Sequence, residues 1–174
     1  LDENQKIWLP LGKALKQKAP QYDFNITSYK QPQMLEQIEK ENLDFAIVHP
    51  RAYVEIEMKY NATNVASIVQ KDPFSGSKIT KYGGVIATLS DRSDINELKD
   101  IKSKTVATIR KEGFATYLAP LDTLAHAGVE LEKDCKMLFT EKSLKEVMQA
   151  LRDKKADVGF FRSGYIEQMI QDGL

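Results

Sequence analysis

Two side chains that can carry positive charge follow short apolar runs in the two halves of the chain. His49 follows the run at residues 45–48, and Arg162 follows the run at residues 157–161. A guanidinium forms two parallel charge-assisted hydrogen bonds that match the oxygens of a carboxylate, a phosphonate or a sulfur oxyanion. Arg162 and His49 are therefore candidates for binding an anion. The structural alternatives are a salt bridge for Arg162 and a turn hydrogen bond for His49.

The segment from Lys111 to Tyr117 is a second candidate for contact with an anion. It links a predicted strand to a predicted helix, where free backbone N–H groups and the positive end of the helix dipole favour negative charge. Gly113 allows close approach and Thr116 adds a hydroxyl, and Phe114 and Tyr117 complete the segment. Every helix begins with such free N–H groups, which is the structural alternative.

Tyr82 precedes Gly83-Gly84 near the middle of the chain. Aromatic side chains with a polar tip are common in the walls of small-ligand clefts. We therefore include Tyr82 among the candidate binding residues, with packing in a core as the alternative.

The residues that catalysis or metal binding would need are scarce. The chain has one cysteine, Cys135, and two histidines, His49 and His126, and it lacks nucleophile-elbow, phosphate-loop and zinc-binding patterns. Cys135 lies in an apolar alternating run that predicts a buried, inert thiol. We expect no catalytic residues, no metal site and no cofactor.

Charge and hydropathy exclude two further classes of partner. The 25 basic and 25 acidic residues give a net charge of zero, which does not predict binding to nucleic acid. No run approaches the roughly 18 to 20 apolar residues of a membrane span. We expect this chain neither to bind nucleic acid nor to insert into a membrane.

Apolar positions alternate between strand-like and helix-like spacing along the chain. Short apolar runs predict strands at residues 22–26, 45–48, 65–69, 84–88, 105–109, 135–139 and 156–161, with helices between them. Ser143 and Glu146 have the spacing of a capping box at the start of one helix. This alternation predicts an α/β fold with largely parallel strands and helices on both faces.

The alternation forms two runs that meet near Tyr82 without a long flexible linker. We therefore expect two lobes joined by extended crossing segments: residues 1–83, completed by 162–174, and residues 84–161. His49 and Arg162 each stand just past the carboxyl end of a strand, where open α/β sheets bind their ligands.

Several segments, in order along the chain, resemble those of the phosphate/phosphite/phosphonate-type periplasmic substrate-binding proteins. They are Trp8 to Leu11 (WLPL), Leu43 to Tyr53 (LDFAIVHPRAY), Tyr82 to Ile86 (YGGVI), Leu98 to Ala107 (LKDIKSKTVA) and Ala156 to Arg162 (ADVGFFR). The resemblance extends over essentially the whole chain. It implies a class II periplasmic binding fold: two α/β lobes joined by two crossing strands, with a ligand cleft between them.

Proteins of this kind serve ABC importers or form the extracytoplasmic sensor region of two-component histidine kinases. The segments at 113–117 and 161–163 look more similar to those of the sensors, and Phe114 and Ala115 replace two hydroxyl residues of the phosphonate-type loop. The resemblance implies that the cleft is lined by Tyr82, Thr116, Ser143 and Arg162.

The expected function is therefore solute binding without chemistry. We expect closure around a small anion or oxyanion, a periplasmic or other extracytoplasmic location, and an ABC permease or a membrane-linked kinase module as the partner. One alternative is an effector-binding domain of a cytoplasmic transcription regulator, which would need an N-terminal helix-turn-helix. Another is an enzyme on the same scaffold, for which only His49 offers a starting point.

Overall fold

The computed structural model describes residues 3–71 and 76–173. The chain divides into two compact units, an N-terminal unit, Leu1–Thr63, and a C-terminal unit, Asn64–Leu174. The two lobes expected to divide near residue 83 stay a prediction. None of the described helices is both long and apolar enough to cross a membrane.

The described part of the N-terminal unit contains three helices: α1 (Glu3–Lys18), α2 (Gln31–Glu39) and α3 (Pro50–Tyr60). Polar contacts join α2 to α3. Glu39 accepts hydrogen bonds from the Lys59 ammonium at 3.1 Å and from the Tyr60 hydroxyl at 2.7 Å. The Gln31 amide donates to Glu55 at 2.8 Å. These pairs are exposed, so water screens them and each contributes little to stability.

The strands predicted at 22–26, 45–48 and 65–69 are wrong, because none of these segments joins a sheet within residues 3–71 and 76–173. Their apolar side chains are exposed, with Phe45 73% and Val65 75% accessible. An apolar run becomes a strand only when another strand satisfies its N–H and C=O groups. The sequence pattern shows the run but not its partner.

The C-terminal unit contains six strands in its described residues. They are β1 (Gln70–Lys71), β2 (Lys78–Ile79), β3 (Gly84–Ala87), β4 (Thr105–Thr108), β5 (Lys136–Phe139) and β6 (Val158–Arg162). The first two form an antiparallel pair, and the other four form a sheet in the order β3-β6-β4-β5. β4 is parallel to β5 and β6, whereas β3 is antiparallel to β6. The predicted α/β class is confirmed, but the sheet is mixed, since β4, β5 and β6 are parallel and β3 is not.

Helices connect these strands. They are a 3-10 turn (Leu98–Ile101), a π-helical turn (Phe114–Leu118) that continues into α4 (Ala119–His126), then α5 (Leu131–Asp134), α6 (Leu144–Arg152) and α7 (Tyr165–Gln171). Because side chains alternate along a strand, the sheet has an apolar core on each face. Phe160 packs with Leu124 of α4 on one face, and Phe161 packs with Val147 of α6 on the other.

A charged network lies where β4 and β6 begin. Asp157 accepts hydrogen bonds from the Thr105 amide at 2.7 Å and from the Arg92 guanidinium at 2.5 Å. Arg92 also binds Asp94 with both ends of its fork, at 2.8 and 2.9 Å, and Lys104 binds Asp94 at 2.5 Å. The Asp of the segment Ala156 to Arg162 therefore joins two strands at the amino edge of the sheet.

Candidate functional site

The three parallel strands end at the same edge of the sheet, at Thr108, Phe139 and Arg162. The antiparallel β3 begins there, since Gly84 is paired with Arg162. We call this the carboxyl edge and define it by residues 82–83, 109–116, 140–143 and 162–164. It carries all the candidate binding residues except His49 and Tyr117.

Tyr82 and Phe114 form an aromatic wall at the carboxyl edge. Their rings meet edge to face with centroids 6.1 Å apart, and each side chain is 38% exposed. The backbone beside Tyr82 is fixed, because the Gly83 amide donates to the Ser163 hydroxyl at 3.0 Å and the Ser163 amide donates to the Gly83 carbonyl at 2.9 Å. Tyr82 and Phe114, which are more than 30 positions apart in the sequence, are thus brought into contact.

Gly113 and Thr116 are in close contact at the start of the π-helical turn. A Cβ atom on Gly113 would lie 2.0 Å from the Thr116 Oγ1, so a larger residue would displace that hydroxyl. The Thr116 carbonyl accepts a hydrogen bond from the buried Thr108 hydroxyl at 2.5 Å, which holds the turn against the end of β4. Glycine at position 113 therefore leaves free the space that the Thr116 hydroxyl occupies.

Arg162 is exposed and lies over an aromatic ring. Its guanidinium carbon is 5.6 Å from the centroid of Tyr165, whose ring stacks on Phe161 at 6.4 Å. Gly164 has φ of +78°, a conformation that favours glycine, and this tight turn folds Tyr165 back toward Arg162. Among the residues that the structure describes, no carboxylate lies within 4 Å of Arg162. Its hydrogen-bond donors are free to bind an anion.

The side-chain contacts of Tyr117 and Ser143 differ from those that the sequence suggests. Tyr117 is 3% exposed and its hydroxyl donates to Glu132, so its side chain belongs to the core. Burial and the neighbouring Glu132 carboxylate raise the pKa of Tyr117 well above its usual value. Ser143 is the N-cap of α6, but its side chain makes no cap hydrogen bond, so the predicted capping box with Glu146 is wrong.

His49 lies in the N-terminal unit, where it is exposed and precedes the first residue of α3. Its carbonyl accepts a hydrogen bond from the Tyr53 amide at 2.9 Å, and its side chain does not cap the helix. A role in ligand binding stays a prediction. Tyr165 was missed by the sequence reasoning, and the only signal for it is an aromatic residue three positions after the arginine.

Neither metal-binding groups nor surface depressions elsewhere in the described residues add to the carboxyl edge. No group of three or more His, Cys, Asp or Glu side chains within the described ranges is arranged to hold a metal ion. A surface depression of about 530 Å³ lies along α3, and one of about 260 Å³ lies at the amino edge. Neither is lined by a predicted binding residue.

Comparison with known proteins identifies the family. The model of the family described as ABC transporter, phosphonate, periplasmic substrate-binding protein matches residues 2–174. The tetrathionate sensor histidine kinase of Salmonella typhimurium is 29% identical over 168 residues, which are 96% of this chain and 28% of that protein.

Solved structures show the same fold. A binding protein component of an ABC phosphonate transporter from Pseudomonas aeruginosa matches with a TM-score of 0.58 and 19% identity, over 97% of this chain and 56% of that one. The periplasmic aliphatic sulphonate binding protein of Escherichia coli matches with a TM-score of 0.62 and 15% identity, over 96% and 53%. The chain thus spans just over half of each solved neighbour and about a quarter of the sensor kinase.

The periplasmic-binding-protein fold expected from the sequence is confirmed by these matches. The matched family and both solved neighbours are binding proteins and not enzymes. Since the family model covers nearly the whole chain, this chain belongs to the phosphonate-type periplasmic substrate-binding proteins.

Proposed function

We propose that this chain is the extracytoplasmic ligand-binding domain of a sensor histidine kinase and that it binds a small anion at the carboxyl edge. The observation that carries the proposal is the Arg162 guanidinium, which is exposed, held over Tyr165 and without a carboxylate partner among the described residues. A guanidinium in this state binds an oxyanion through two charge-assisted hydrogen bonds.

The neighbouring groups suit the same class of ligand. The Thr116 hydroxyl and the Ser143 hydroxyl are donors at the carboxyl edge, and the Tyr82–Phe114 pair supplies an apolar surface beside them. A ligand that combines anionic oxygens with a less polar part would use both kinds of contact.

The names of the relatives narrow the class of ligand. They refer to tetrathionate, a phosphonate and an aliphatic sulphonate. These compounds share anionic oxygens on sulfur or phosphorus, the geometry that a guanidinium fork matches. We therefore expect a sulfur or phosphorus oxyanion.

A second candidate is the binding component of an ABC importer, which the family description and both solved neighbours favour. The sensor is preferred because the kinase relative shares 29% identity over 96% of this chain. The two roles predict different outputs. In the full-length protein, a bound anion would change autophosphorylation in a sensor, whereas it would stimulate ATP hydrolysis by the permease complex in an importer.

The binding proposal is tested by calorimetry and thermal shift with tetrathionate, thiosulfate, methylphosphonate and ethanesulfonate. A ligand that binds the folded form raises the melting temperature. Arg162→Gln is expected to weaken binding at least about tenfold, since it removes charge-assisted hydrogen bonds. The matched control is Arg152→Gln, which removes the same charge from the last turn of α6, at the opposite edge of the sheet.

Two outcomes would contradict the proposal. One is that the wild-type protein binds none of the four anions. The other is that Arg162→Gln and Arg152→Gln have the same affinity for the anion that does bind.

Closure around the solute stays a prediction from the sequence. A solute that contacts a closed form better than an open form shifts the population toward closure. Small-angle scattering with and without a saturating anion measures this, and closure predicts a smaller radius of gyration in the bound sample.

A further inference from the structure

A second arginine, Arg110, lies at the same edge of the sheet as Arg162. β4 and β6 are neighbouring parallel strands in which Val106 is paired with Val158 and Ala107 with Gly159. Arg162 is the last residue of β6, and Arg110 comes two residues after the end of β4. Neighbouring strands lie about 4.8 Å apart, so both arginines leave the sheet at the ends of adjacent strands.

The chain turns directly after β4. β4 ends at Thr108 and the backbone bends at Ile109, whose carbonyl accepts a hydrogen bond from the Glu141 amide at 2.9 Å. The Arg110 carbonyl then accepts a bond from the Gly113 amide at 3.4 Å. Arg110 therefore starts the loop that carries Phe114 and Thr116.

The other cationic side chain of this loop, Lys111, forms an ion pair with a carboxylate. The Lys111 ammonium lies 2.6 Å from the Glu132 carboxylate and 5.9 Å from the centroid of the Phe139 ring. Arg110 is exposed, and no carboxylate among residues 3–71 and 76–173 lies within 4 Å of it. The carboxyl edge thus presents two guanidinium groups whose charges are not neutralised by a described carboxylate.

From this arrangement we infer that Arg110 is a ligand-binding residue and that Arg110 and Arg162 together select doubly charged oxyanions over singly charged ones. The inference rests on the proposed function and deepens it. Two cations at one edge of the sheet repel each other, and a dianion bound between them replaces that repulsion with two attractions. A monoanion satisfies only one of the two guanidinium groups.

The test uses two pairs of sulfur oxyanions whose members differ by one negative charge. Sulfate is compared with methanesulfonate, and ethane-1,2-disulfonate with ethanesulfonate, by calorimetry at fixed ionic strength. The wild-type protein is expected to bind the dianion of a pair about tenfold more tightly or better. In Arg110→Gln this preference should fall to less than about threefold, chiefly through weaker dianion binding.

Three controls separate binding from folding and from general charge. Arg152→Gln removes a charge at the opposite edge and should keep the wild-type preference. Arg110→Lys keeps the charge and should retain part of the preference. Because Arg110 is exposed, the melting temperature of Arg110→Gln without ligand should equal that of the wild type.

The outcomes distinguish this inference from the proposed function. If the wild type binds both members of a pair equally, or if Arg110→Gln behaves like Arg152→Gln, the inference is overturned while anion binding stands. If the protein binds neither pair, the inference is also overturned, and the proposed function then depends on tetrathionate, thiosulfate and methylphosphonate alone.

Discussion

Replacing Gly84 with alanine tests how closely the carboxyl edge is packed. A Cβ atom on Gly84 would lie 2.5 Å from the Ala115 carbonyl oxygen and 2.6 Å from Cδ of Pro120. Both neighbours belong to the turn and helix that follow Phe114, and a backbone oxygen cannot rotate away as the tip of a side chain can. β3 and the Phe114 turn must therefore move apart in Gly84→Ala.

The size of the effect follows from the required movement. An ordinary contact of Cβ with an oxygen is about 3.4 Å, so a separation of roughly 0.9 Å is needed; forced repacking of this kind costs about 1–3 kcal/mol. In a chain of 174 residues that corresponds to a fall in melting temperature of about 2–12 °C. The same movement separates Tyr82 from Phe114 and should weaken anion binding.

Gly83→Ala is the matched control. The two glycines are adjacent, yet a Cβ atom on Gly83 would have no neighbour within 4 Å. Its φ is not positive, so alanine is expected to leave stability unchanged or to raise it by about 0.4–1 kcal/mol. Chemical denaturation of both variants measures the difference. Equal free energies of unfolding, within about 0.5 kcal/mol, would refute the claim of close packing at Gly84.

Three further predictions concern other sites. Burial is the largest single influence on the pKa of Asp157 and raises it. The hydrogen bonds from the Thr105 amide and from Arg92, with the positive charge of Arg92, together outweigh burial, so the pKa is lowered overall. The stabilisation that this carboxylate provides is therefore present above about pH 4 and lost as the pH falls below it, so the deficit of Arg92→Gln in urea unfolding should shrink below pH 4. Burial raises the pKa of the Cys135 thiol, which should react with a thiol reagent only after unfolding. Gly113→Ala should weaken anion binding by displacing the Thr116 hydroxyl, whereas adding Thr116→Ala should cause little further loss.

Local patterns were sufficient to predict where the four strands of the C-terminal sheet lie along the chain. In β6, residues 158–161 are buried and alternate between the two apolar cores, with Phe160 on one face and Phe161 on the other. A continuous apolar run bounded by polar residues is the pattern of a strand covered on both faces. The same reading applied to 45–48 was wrong, because the apolar run was present while its hydrogen-bonding partner was not among the described residues.

The candidate site was only partly predictable for a related reason. Arg162 was found because it directly follows an apolar run, which is a feature of the local sequence, and it is the last residue of β6. The contact between Tyr82 and Phe114 depends on the antiparallel pairing of β3 with β6, which no local pattern specifies. Arg110 gave no signal, since its place at the same edge as Arg162 follows from the parallel pairing of two strands that are separated by about 50 positions.

The charges at the two ends of the sheet have different roles. At the amino edge, Arg92 and Lys104 are paired with Asp94 and Asp157, so the network is internally neutral and holds the strands together. At the carboxyl edge, Arg110 and Arg162 have no such carboxylates in the described chain, so ion pairs of these two arginines do not contribute to the stability of the fold. Removing a charge at the amino edge should therefore alter stability with little effect on anion affinity, and removing the charge of Arg110 or Arg162 should do the reverse.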